Sequence, residues 1–155
     1  MKNVNDLVWE GIYTGKNAEP WVMTCYDLVT PGSGWVRVAI SENQVMGMIA
    51  YNPYTVPQNM VLVIQNLKVG SEPSGNRFVM FGIRSTTPNF ADKPVLFFEK
   101  YADTLVYDIK NGLWHREGTI VEIVVNNKDT IDLYPFVQVS GILVNVSEAF
   151  KRRKE

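Results

Sequence analysis

Residues 104–125 constrain the fold more than any other stretch. Leu105, Tyr107 and Ile109 alternate with Thr104, Asp108 and Lys110, the period of two that marks a strand with one buried face. Asn111-Gly112 comes next. Both residues tolerate positive φ, so a two-residue type I′ turn and a hairpin are expected here. Counting outward from that turn sets Ile109 against Trp114 and Asp108 against His115, each pair worth roughly 0.2–1 kcal/mol. After Gly118, residues 119–125 are apolar at nearly every position, with Glu122 as their single charge. Val121, Ile123 and Val125 fall on one face, Ile120 and Val124 on the other. A strand apolar on both faces is expected to be covered on both.

The same reading extends along the chain. Residues 21–29, 35–40, 45–51, 60–69, 77–84, 94–99 and 136–146 read as strands, separated by Gly-, Pro- and Asn-rich turns at 31–34, 52–59, 70–76 and 85–93. In the last strand Val137 and Val139 sit on one parity and Ile142, Val144 and Val146 on the other. A β-bulge at Ser140-Gly141 would restore a single inward face, and is expected. Residues 3–15 read as a short helix with Asn3 or Asn5 as N-cap, or as an extended arm. Residues 147–154 read as a short helix capped by Ser147, or as a basic tail. Many short strands with almost no helical periodicity and no internal repeat make 1–155 a single all-β domain. The expected fold is an antiparallel β-sandwich. A jelly roll is preferred over an immunoglobulin-like arrangement because more than seven strands are available.

Composition narrows the chemistry. A chain of 155 residues buries about 68–70% of its unfolded surface without staples. Cys25 is the single cysteine, which rules out an internal disulfide. With 15 basic and 16 acidic residues the net charge is −1, so no overall field draws nucleic acid or an anionic membrane. The first residues lack the apolar run of a signal peptide, and no run approaches the ~18 apolar residues of a membrane span. The expected location is a virion or a cytoplasm.

No catalytic constellation emerges. His115 is the only histidine, too few for a histidine-based zinc site or, without a G-x-S-x-G elbow, for a recognisable serine triad. Gly32-Ser33-Gly34 reads as a turn, since no long helix follows to make a phosphate site. Glu122 is the acidic residue of most interest, and it reads as solvent-facing or paired rather than catalytic. Cys25, in an apolar strand, reads as a buried inert thiol. No catalytic residue, cofactor or metal is therefore assigned. Lys151, Arg152, Arg153 and Lys154 form a basic tail that could touch an acidic membrane surface at roughly 1 kcal/mol per charge.

The positive signal is apolarity on both faces of residues 61–64, 95–98, 120–125 and 142–146. A lone sandwich needs one apolar face per strand, and large exposed apolar patches are rare on monomers. Loops of the same chain or neighbouring copies must cover the surplus. A homo-oligomer is expected, with Tyr51, Tyr54, Phe90, Phe98 and Val124 as interface candidates. In architecture this resembles the single jelly-roll coat proteins of viruses and phages, which implies a non-enzymatic capsid, cement or spike subunit, with other virion proteins as partners. The long basic N-terminal arm of the plant-virus pattern is missing, so genome binding is not implied. The competing reading is a carbohydrate- or receptor-binding module, suggested by four tryptophans and seven tyrosines. A glycosidase-like enzyme with two carboxylates comes third.

Overall fold

The computed structural model of the protein describes residues 2–39, 52–73, 75, 77–87, 90–101 and 105–151, with the backbone alone at 87, 90–101 and 105. The strand expected at 45–51 lies outside the described residues. The elements are α1 (Val4–Thr14), β1 (Ala18–Tyr26), β2 (Trp35–Arg37), β3 (Tyr54–Thr55), β4 (Met60–Glu72), β5 (Val79–Thr87), β6 (Phe90–Tyr101), β7 (Leu105–His115), β8 (Ile120–Asn127), β9 (Tyr134–Asn145) and a closing 3-10 turn, Ser147–Phe150.

The strands form two antiparallel sheets. One has the order β1-β9-β4-β7; the other has β2-β8-β5-β6, with β3 also pairing β8. Their inner faces share one core. Met23 and Cys25 from β1, Leu62, Ile64, Leu67 and Val69 from β4, and Val137, Val139 and Leu143 from β9 meet Val79, Phe81 and Ile83 from β5 and Val121, Ile123 and Val125 from β8. The protein is thus mostly β, a sandwich of two antiparallel sheets.

The N-terminal segment is a helix, for reasons visible in its sequence. Asn3 is the N-cap: its side chain accepts from the Asp6 N–H at 2.9 Å, while the Asp6 carboxylate accepts from the Asn3 N–H at 3.2 Å, a reciprocal capping box. Gly15 ends the helix in the left-handed region at φ 74°. Leu7, Val8 and Gly11 are buried along one face. They pack on Val61 and Val63 of β4 and on Ile142 and Val144 of β9, forming a second, smaller core outside the four-stranded sheet. This corrects part of the surplus-surface expectation: the second apolar face of β4 and β9 is covered by the chain's own helix. No neighbouring copy is needed there.

Two expected features of the strands are also corrected. Asn111-Gly112 does not close a hairpin. Both residues do have positive φ, 64° and 75°, yet β7 runs on as one strand beside β4. Leu113 to His115 pair with Ile64 to Leu62, and Leu105 to Asp108 pair with Val69 to Asn66, so Ile109 to Gly112 stand against Gln65 alone. The left-handed pair turns the chain out and back rather than reversing it. The reason is packing: Ile109 and Leu113 both rest on the main core, which a local hairpin would forgo. Asp108 consequently meets Asn66, whose amide donates to it at 2.6 Å, and not His115.

The bulge expected at Ser140-Gly141 lies on the facing strand. The β4–β9 register shifts between Ile64 and Asn66, so Gln65 is the extra residue. It carries the core face of β4 from Leu62 and Ile64 to Leu67 and Val69. β9 keeps one parity throughout, with Val137, Val139 and Leu143 inward. Ile142 and Val144 face α1 instead.

Candidate functional site

One end of the sandwich gathers exposed apolar side chains. Here β1 ends beside the start of β9, with Tyr26 opposite Phe136, and β4 ends with Glu72 opposite Tyr134. Loops 27–34 and 128–133 meet residues 77–78 at this end. Tyr26, Leu28, Phe78, Ile131 and Tyr134 are each between 37% and 43% exposed. The rings of Tyr26 and Tyr134 stack at a centroid distance of 5.8 Å and an interplanar angle of 24°. The Tyr26 hydroxyl donates to Glu72 at 2.8 Å, and this bond is the main reason its pKa is raised. Beside them a cleft of about 220 Å³ is lined by Asp27, Leu28, Thr30, Ser33, Val36 and Arg37, among others.

These loops are held in place by hydrogen bonds, centred on one buried side chain. Asn127, 1% exposed, donates its amide to the carbonyls of Val29 at 2.8 Å and Ile131 at 2.9 Å, and its oxygen accepts from the Asp129 N–H at 2.9 Å. Asp129 accepts from the Phe78 N–H at 3.0 Å and from the Thr130 N–H at 2.7 Å. Those two bonds hold its carboxyl below the usual range. Val29 and Leu133 exchange backbone bonds of 2.8 and 3.1 Å. Polar groups that could have been solvated are spent on fixing the loops, so the apolar residues are presented on a built frame.

The residues singled out in the sequence are dispersed. Tyr51 lies outside the described residues, as do the side chains of Phe90 and Phe98. Tyr54 is half-buried toward the other end, its ring tilted against Trp21 at 5.3 Å. Val124 is fully buried within its own chain and has no surface left to offer a partner. Lys151 is exposed; Arg152, Arg153 and Lys154 lie outside the described residues. Cys25 is buried, and burial pushes its thiol up to about 12.

Glu122 sits on the outer face of the five-stranded sheet. Arg37 Nε donates to it at 2.7 Å, and Arg84 Nε at 3.1 Å. Burial alone would raise its carboxyl; the two guanidinium groups outweigh burial and hold it low. His115 faces inward, with Nδ1 3.3 Å from the Ser85 hydroxyl. Among the described residues no group of three or more His, Cys, Asp or Glu is placed to hold a metal. No helix among them is long and apolar enough to cross a membrane.

The five residues of the apolar end did not stand out in the sequence. Each lies at a strand end or in a loop, where periodicity gives no face. The available signal was aromatic and branched residues embedded in polar turns, such as Ile131 and Tyr134 around Asp132 and Pro135. No protein-family model matches this chain, and no curated protein sequence matches it.

Proposed function

We propose that the chain is a non-enzymatic structural subunit of jelly-roll topology that assembles with copies of itself through the apolar end, as a virion protein of capsid, cement or spike type. The observation that carries the reading is the cluster of Tyr26, Leu28, Phe78, Ile131 and Tyr134 on one hydrogen-bonded frame. Contiguous exposed apolar surface mostly marks an interaction site.

Strand order supports the jelly roll. With β2 and β3 taken as one interrupted strand, the first strand pairs with the eighth, the second with the seventh, the third with the sixth and the fourth with the fifth. That is a long hairpin rolled into two sheets, the nested Greek keys of a jelly roll. The edges of the four-stranded sheet favour contact through an end over pairing through a strand. β1 carries Pro20 and β7 carries the excursion opposite Gln65, and both features discourage strand addition.

Light scattering on the purified protein tests the proposal. A trimer, pentamer or larger particle at micromolar concentration is expected; a monomer at all concentrations rejects it. The second reading is a carbohydrate-binding module using the same end, favoured by the Tyr26–Tyr134 stack beside a cleft of mixed lining to which Asp27, Thr30 and Ser33 contribute. A monomer that binds on a glycan array would select that reading.

A further inference from the structure

We propose that His115 is an acid-sensitive latch between the two sheets: neutral, it ties the end of β7 to β5, and protonated, it loosens the turn that carries the chain from one sheet to the other. His115 is the last residue of β7, and residues 116–119 cross from the four-stranded sheet to β8 in the other. Its register partner is Leu62, a core residue. The imidazole therefore points between the sheets, where Ser85 of β5 meets Nδ1 at 3.3 Å. The turn is held at the same corner by Thr119, whose carbonyl accepts from the Val56 N–H at 2.9 Å, and by the Gly118 N–H, which donates back to Val56 at 2.9 Å.

The other ring nitrogen makes the latch. Among the described residues Nε2 of His115 is buried without a hydrogen-bond partner, as is the Thr119 hydroxyl. A neutral imidazole carries one N–H and one lone pair, and the Ser85 hydroxyl can satisfy Nδ1 in either tautomer. Protonation puts a hydrogen on both nitrogens. The one on Nε2 then has no acceptor among the described residues, and among them the charge has no counter-ion. Asp108 is bonded to Asn66, and Glu122 is held by Arg37 and by Arg84, which flanks Ser85 on the opposite face. β4 contributes Leu62 here, β8 contributes Val121 opposite Ser85, and Arg116 and Glu117 are exposed in the turn.

The sign follows. Burial lowers the His115 pKa from 6.5 to about 4, so the unfolded chain binds the extra proton first as pH falls. Stability is lost from pH 6.5 downward, and the loss is complete below about 4. The inference stands apart from the assembly proposal and does not require it.

The test is thermal unfolding of the whole chain at pH 7 and pH 4.5, with His115→Asn as the variant. Asn keeps a polar atom near the Nδ1 position and cannot titrate. The wild-type melting temperature is expected to fall by roughly 5–10 °C more than that of the variant between the two pH values. Equal falls would overturn the proposal. Should the variant fail to fold, titration of the wild-type imidazole by NMR decides. A pKa near 4 supports the latch, and one near 6.5 overturns it.

Discussion

A Cβ built on Gly141 would overlap the Val63 carbonyl oxygen and crowd the Ile64 Cα at 3.0 Å. β9 can approach β4 at the Gln65 bulge only where it has no side chain. Gly141→Ala is therefore expected to destabilise the fold by about 1–3 kcal/mol or more, read as a lowered urea midpoint. Gly112 is required twice over, by its φ of 75° and by Val63, whose methyl group occupies the space of a Cβ. Glu122 illustrates the opposite situation, a charge that is tolerated because it is shared. Glu122→Gln would leave Arg37 and Arg84 without their common carboxylate, and a loss of roughly 1–3 kcal/mol is expected, since both arginines keep access to water. The pH sign differs in range from that of His115. With its folded pKa held below 4.5, Glu122 contributes stability that is present above that value and lost as pH falls through the folded pKa. In unfolding curves, Glu122→Gln should flatten the acid limb below pH 4.5 and leave the slope at pH 5–6.5 unchanged.

At the scale of elements, α1 is the piece that makes the four-stranded sheet self-sufficient. Leu7 and Val8 are 2% and 0% exposed against Val61, Val63 and Val144. Leu7→Ala is expected to cost about 2–4 kcal/mol and to increase binding of a hydrophobic dye, because the outer face of β4 and β9 opens as the helix loosens. The helix was one of two readings of residues 3–15, an extended arm being the other; the Asn3–Asp6 capping box and Gly15 decide for the helix. What covers β9 was not legible in the same way. Alternation tells that Val137 and Ile142 lie on opposite faces; it cannot tell whether the second face meets a helix or signals a bulge. The true phase change sits in β4, between Ile64 and Leu67; residues 60–64 before it are apolar on both faces and give no alternation against which the shift could be read. The Asn111-Gly112 pair misled for a related reason. Its left-handed backbone was correctly read, but that geometry serves an excursion within a strand as well as a reversal. Only the long-range pairing with β4 selects between them.

For the whole molecule, the coarse architecture followed from short alternating strands broken by Gly and Pro turns, which leave a sandwich as the arrangement that buries one face of each sheet. The apolar end did not follow, since Leu28 and Phe78 fall at the ends of the strands expected at 21–29 and 77–84, beyond the strands that form, and meet Ile131 only when the chain has folded. Helix α1 has absorbed one of the apolar faces that argued for assembly, so the assembly proposal now rests on this end. Sedimentation velocity on the Tyr26→Ser, Tyr134→Ser double variant tests it most directly, with Tyr13→Ser as the control, because Tyr13 is 76% exposed on α1. The wild-type protein and the control are expected to sediment as the same oligomer while the double variant sediments as a folded monomer. A double variant that keeps the wild-type oligomer would contradict the assignment of the interface to the Tyr26–Tyr134 end.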